Sequence, residues 1–112
     1  MLTRLSQAEA MGLGDYRADL DERSRVRALY SGLAAQCDAC VTLAAPAAAP
    51  VGLGSTGDPV FAVPFSLLGV PAISLPLLHE QGLPLGFQVT GFYGKDATAA
   101  ATASWIEKTL AA

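Results

Sequence analysis

Histidine occurs once in these 112 residues, at position 79, and cysteine twice, at Cys37 and Cys40. Those shortages exclude much chemistry. A Ser-His-Asp arrangement would have to use His79. That residue stands beside Glu80 in a polar stretch, where a solvated imidazole is commonplace. No Gly-x-Ser-x-Gly elbow is present. A structural zinc site wants four ligands, and Cys37-x-x-Cys40 brings two with no second pair. A reactive thiolate wants a helix N-terminus, whereas this pair falls at the C-terminal end of an expected helix. Two buried, inert thiols are the expectation, with no metal and no cofactor.

Charge is scarce as well. Charged residues make up 15% of the chain, apolar residues 52%, and the net charge is −3. So oily a composition suggests that part of the surface meets another protein, or simply reflects an alanine-rich chain. The one basic cluster, Arg23, Arg25 and Arg27, is interleaved with acids. Nucleic acid, which needs clustered cations, is not expected as a partner. The N-terminus has no apolar run of the secretory kind. The longest uncharged stretch, 60–78, contains Pro64, Gly69, Pro71 and Pro76, which break any continuous helix. We read it as buried core, not a membrane span, and expect a cytoplasmic chain forming a single domain over 1–112. An N-terminus of this kind, 1–14, is expected to be loose or to form a turn or two of helix ended by Gly12 and Gly14.

What the sequence does have is a block of Gly, Pro and apolar residues over 69–91. Two apolar runs, 72–77 and 85–90, flank a polar turn at 79–82. Each reads as a short buried strand, and the spacing suits an antiparallel pair joined by a loop of several residues. Pro71, Pro76 and Pro84 lack an N–H and belong at strand ends.

A helix is expected over 15–36, with Asp15 as N-cap. Its first half is charged, with acid-first pairs Asp19–Arg23 and Asp21–Arg25. Val26, Leu29, Tyr30, Leu33 and Cys37 then form an apolar stripe. Cys40–Leu43 reads as a strand, and the Pro-Ala run after it as a loop. A short helix is expected within 60–68, with Pro64 in its first turn and Gly69 as its stop. A last helix runs from Lys95 or Asp96 to Leu110. Ala99, Ala103, Ile106 and Leu110 lie on one side of it, Ala97, Ala101 and Trp105 on another. So broad an apolar face suggests packing on a sheet.

Other candidate sites have plain alternatives. Gly52-x-Gly54-x-x-Gly57 matches a dinucleotide fingerprint as a string, but prolines precede it and Asp58-Pro59 follows, so the strand and helix that the mechanism needs are missing. Ser104 and Lys108 are four apart on the last helix, yet nothing there would desolvate the lysine. Asp19, Asp21 and Glu22 sit among arginines as ordinary ionised acids. Ser66 and Ser74 read as small hydroxyls bonded to backbone.

The block Gly69-Val-Pro-Ala-Ile-Ser-Leu-Pro76, followed by Gly82-Leu-Pro-Leu-Gly-Phe-Gln-Val-Thr-Gly91, resembles the C-terminal signature of the amidase signature family of amide hydrolases. That family includes the glutamine-using subunit of tRNA amidotransferases, allophanate hydrolase and fatty acid amide hydrolase. The resemblance covers residues 15–110 and is densest over 54–91. Asp38-Ala-Cys-Val-Thr42 fits the family's Asp and short strand before a Pro-Ala loop, with Leu43 where proline is usual.

The resemblance implies an α/β fold: part of an α/β/α sandwich, a mixed sheet with a β-hairpin and covering helices. It implies that the family's catalytic serine, second serine and lysine lie upstream, so none of this chain's residues is expected to be catalytic. It places Ser55, Thr56 and Asp58 near the mouth of a substrate pocket. A cap on the following helix is the other reading of Asp58. Two functions follow. One is the C-terminal portion of an amidase, whose partner is the missing N-terminal half and whose small amide substrate binds only in the complete enzyme. The other is a stand-alone, non-catalytic module that associates with itself.

Overall fold

The computed structural model describes residues 2–110. Helix α1 (Leu2–Ala10) is followed by α2 (Leu13–Ser31), which tightens into a 3₁₀ turn at Gly32–Ala35. Strand β1 (Cys40–Leu43), helix α3 (Val63–Leu68), strands β2 (Ala72–Glu80) and β3 (Leu83–Thr90), and helix α4 (Asp96–Leu110) complete the order. The three strands form one sheet in the order β1-β3-β2, and both pairings are antiparallel. Helices and sheet together make the expected α/β architecture. Met1 lies outside the described residues.

Helix α2 starts earlier than its acids suggest. Gly12 is the N-cap, and Asp15 sits at the third helical position. From there its Oδ2 accepts the Gly12 N–H at 3.2 Å. That is half of a capping box, since glycine has no side chain to return the bond. Gly14 therefore lies inside the helix and terminates nothing. The ion pair among the described residues is Arg25 to Glu22, three apart, in place of the expected four-apart pairs. This hydrogen bond holds the Glu22 carboxyl below its usual range. Of the expected apolar stripe, Val26 and Tyr30 are half-buried, while Leu29, Leu33 and Cys37 are exposed.

The hairpin is tighter than a loop of several residues. β2 runs through His79 and Glu80, leaving Gln81 and Gly82 as the turn. Both have positive φ, 52° and 78°, the mark of a type I′ connection. Pro76 is not a strand end. It lies where the register shifts between Leu75 and Leu78, a bulge on an outer strand of the three, which leaves no ladder bond for it to lose. Pro84 is the second residue of β3.

The two faces of the sheet differ. On one, Leu75 and Val89 meet Ala103 of α4, with Ile73, Leu77, Phe87 and Ile106 packed around them. Small residues let the helix approach closely. A Cβ on Gly91 would stand 2.7 Å from the Ala99 Cβ and 3.0 Å from Pro71 Cγ, so only glycine fits. The other side of α4, with Trp105 66% exposed, covers nothing.

The opposite face carries Thr42, Gln88 and Thr90. Gln88 is buried, and its Nε2 donates to Thr42 Oγ1 and to the Phe61 carbonyl, both at 3.0 Å. At one end α2 closes over this face. The Tyr30 ring packs near Phe92 and Phe65, with centroids 5.2 and 6.2 Å apart. Desolvation pushes the Tyr30 phenol above its ordinary range. Helix α3 ends as expected at Gly69, which adopts φ 69° and donates to the Phe65 carbonyl at 3.0 Å.

The result is a slab of 53 × 42 × 17 Å with a radius of gyration of 16.9 Å. A compact chain of this length would measure about 13 Å. The slab is thin because only part of its apolar surface is covered. Tyr93 is 77% exposed, and Leu13, Leu29 and Val41 are also open. No described helix is long and apolar enough to cross a membrane.

Candidate functional site

Between β1 and α3 the chain runs without regular structure past Pro46, Pro50 and Pro59. This loop curls back over the start of β3 and encloses an open cavity of about 500 Å³. The walls are the Ala-Pro run 44–50, residues Thr56 to Pro59, and Pro84, Leu85 and Gly86.

Two polar anchors hold the loop. The Glu80 carboxylate, at the end of β2, accepts the Ala48 N–H at 2.6 Å. Gln88 takes the Phe61 carbonyl at the loop's far end. A third constraint is steric. A Cβ on Gly86 would collide with Ser74 Oγ and with the Ala44 Cβ, so the loop leaves β1 tight against β3. Neither Glu80 nor Gln88 stood out in the sequence as a site residue. The one available signal was a glutamine in a mostly apolar strand; for Glu80, 32 residues from the Ala48 amide that it holds, the sequence offered none.

The three expected site residues separate. Thr56 and Asp58 line the cavity. Ser55 does not line it; its Oγ accepts the Gly57 N–H at 3.1 Å, within its own loop. Asp58 Oδ1 accepts the Val60 N–H at 3.0 Å. It stabilises the turn at 59–62 and does not cap α3, whose N-cap is Ala62. The carboxylate thus has one oxygen committed to the loop. Asp58 is the one ionisable residue lining a cavity otherwise made of Ala, Pro, Gly, Leu and one Thr. Such a lining can enclose a small, largely apolar group and offer it a hydroxyl and a carboxylate. It holds no nucleophile paired with a base.

The remaining candidates stay apart from the cavity. His79 is exposed on β2. Among the described residues no hydrogen bond joins Ser104 to Lys108. The glycines at 52, 54 and 57 open no helix of their own, since α3 begins at Val63. Among the described residues no three His, Cys, Asp or Glu converge on a metal position. Cys37 is exposed and Cys40 half-buried, which corrects the expectation of two buried thiols. Partial desolvation, then the neighbouring Cys40, push the Cys37 thiol above its usual range.

Comparison with known proteins fixes the context. No family model matches the chain. It is 39% identical over 94 residues to one subunit of the glutamyl-tRNA(Gln) amidotransferase of Sphingopyxis alaskensis, covering 72% of this chain and 19% of that protein. To fatty acid amide hydrolase of Medicago truncatula it is 34% identical over 119 residues, covering 95% of this chain and 20% of that one. A crystal structure of an amidase superposes with a TM-score of 0.83 at 33% identity, covering 95% of this chain and 27% of that chain. The chain is a C-terminal segment of the amidase signature family. It spans about a fifth of the length of the relatives it matches. An amidase portion with bare flanks accounts for the thin shape and for the apolar side chains left open on both faces.

Proposed function

We propose that this chain is the structural C-terminal part of an amide hydrolase, and that it does not cleave amides by itself. The observation that carries this reading is the match to an amidase over 95% of the chain but only 27% of that enzyme, in a chain whose cavity contains no nucleophile–base pair. In the complete enzyme it extends the sheet and walls the substrate pocket. Thr56 and Asp58 face the substrate, Ser55 shapes their loop, and the small amide binds once the N-terminal half is in place. We place the protein in the cytoplasm, without cofactor or metal.

The test is association in trans. The chain is produced together with the N-terminal region of an amidase signature relative whose own C-terminal segment has been removed. Co-elution as a one-to-one complex, with amide hydrolysis appearing only in the mixture, is the expected result. A chain that stays apart, in a mixture without activity, contradicts the proposal.

A second reading is a self-associating, non-catalytic module. The bare outer edges of β1 and β2 in this sheet and the open Trp105 side of α4 favour it, because unpaired edges and apolar faces invite a second copy. A stable homo-oligomer that ignores the N-terminal region would select this reading over the first.

A further inference from the structure

The chain's two cysteines flank the junction where the 3₁₀ turn after α2 gives way to β1, and both thiols are free. The Cys37 N–H donates to the Leu33 carbonyl at 3.1 Å, so the end of the helical turn fixes its backbone. The chain then bends at Asp38, and Cys40 is the first residue of β1. Across that bend the two thiols are neighbours, close enough to interact by hydrogen bond and charge. Their access differs: Cys37 is exposed and Cys40 half-buried. The Cys37 Sγ–H also donates to the Leu33 carbonyl at 3.6 Å, a weak bond that is easily given up. Among the described residues no third ligand joins the pair, so it makes no metal position.

We propose that Cys37 and Cys40 form a dithiol–disulfide pair, in which the exposed Cys37 exchanges with a small disulfide and the sheltered Cys40 resolves the product into an internal bridge. The Cys37 thiolate attacks one sulfur of the disulfide RSSR. A Cys37–SR bond forms, the RS–SR bond breaks, and one RS⁻ leaves with the electron pair. The Cys40 thiolate then attacks Cys37 Sγ, the Cys37–Cys40 bond forms and the second RS⁻ leaves. The protein gives up two electrons, RSSR gains two, and the two thiol protons end on the two RSH released. Exchange at Cys37 is slow for an exposed thiol, because desolvation first, then Cys40, disfavours its thiolate. The same tight hold on the proton makes Cys37 a poor leaving group, so the bridge resists reopening. In a reducing compartment such a bond is transient and reports the ratio of disulfide to thiol. It would join the end of the helical turn to the strand whose first carbonyl, that of Cys40, accepts the Thr90 hydroxyl. The pair is separate from the Asp58 cavity and does not require amide hydrolysis.

The experiment treats the reduced whole chain, at low concentration, with hydroxyethyl disulfide, a neutral probe that the Asp38 carboxylate does not repel. Samples are quenched with acid, their remaining thiols are alkylated, and intact mass and a peptide map are read. The expected product is a monomer lighter by two hydrogens, with no alkylated cysteine and with Cys37 linked to Cys40. Cys40→Ser is expected to stop at one mixed disulfide on Cys37. Cys37→Ser is expected to react at least about tenfold more slowly than Cys40→Ser, since exchange depends on access to the thiol. The result on the unmodified chain stands whether or not either variant folds. A chain that keeps the probe on Cys37 with Cys40 still free, that links to a second copy, or that stays fully reduced while its urea-unfolded form reacts, overturns the proposal. So does a Cys37→Ser rate equal to that of Cys40→Ser.

Discussion

The Tyr30 hydroxyl lies 3.1 Å from Thr90 Oγ1, across a sequence separation of 60 residues. The same hydroxyl donates to the Gly91 carbonyl at 3.2 Å, and the Thr90 hydroxyl reaches the Cys40 carbonyl at 3.3 Å. One cluster thus ties α2, β1 and β3 together on the sheet face away from α4.

Tyr30→Phe keeps the ring contacts and removes only the phenol's contacts with Thr90 and the Gly91 carbonyl, and should cost about 0.5–1.5 kcal/mol. Thr90→Val should cost more, about 1–3 kcal/mol, because Thr90 is fully buried and the change strands its partners. Urea denaturation of both variants checks the order. A Tyr30→Phe loss as large as the valine loss would place the cluster's energy in the phenol alone.

Three glycines should respond oppositely to alanine. At Gly86 and Gly91 an added methyl meets fixed neighbours, and each substitution should destabilise by about 1–3 kcal/mol. Around Gly14, inside α2, the space is empty. There alanine should stabilise by about 0.5–1 kcal/mol through backbone entropy and helix propensity. Thermal melts of the three variants separate packing from propensity.

Sequence reasoning captured much of this fold. Residues 72–90 signalled a hairpin through their Gly-Pro punctuation, and α4 kept its expected limits. The misses have local causes. Pro76 looked like a stop, because a bulge that frees a proline from the ladder cannot be seen before the register is known. That hid the last residues of β2 and made the turn seem long. Asp15 looked like an N-cap, because a carboxylate that reaches back to a glycine three residues earlier leaves the same composition at the helix start. In the site, Ser55, Thr56 and Asp58 were named from the resemblance to the family's Gly-Asp-Pro loop, and of the three Thr56 and Asp58 line the cavity. Glu80 and Gln88 were not, since their role depends on a loop folding back across long sequence separations.

Gln81 carries an unfavourable positive φ of 52° in the hairpin turn. Asparagine tolerates that region better and precedes glycine in the preferred I′ pair. Gln81→Asn should therefore stabilise the chain by about 0.5–1 kcal/mol. No gain in the melting temperature would argue against a I′ turn here.

Glu80→Ala should free the Ala-Pro loop without unfolding the sheet. Hydrogen exchange at the Ala48 amide should accelerate at least about tenfold, the scale of one charge-assisted bond. Amides in the β3 core, such as Val89, should keep their protection. Equal acceleration at both would mean that the carboxylate supports the whole fold.

Cys37 should alkylate slowly for an exposed thiol. With its folded-state titration moved upward, the thiolate fraction at neutral pH is smaller than in an unfolded chain, where the ordinary value returns. The iodoacetamide rate against pH should rise later in the folded protein than in urea. By linkage, this group's contribution to stability is complete below the unfolded value and declines as pH rises through the folded one.

The most direct test is ammonia release from a panel of small amides by the purified chain alone, with fluorophosphonate labelling of serine in the same sample. The predicted result is a cooperatively melting protein that releases no ammonia and takes up no label. Ammonia release together with a labelled serine would show an activated nucleophile within this chain and contradict its assignment as a non-catalytic part of an amidase.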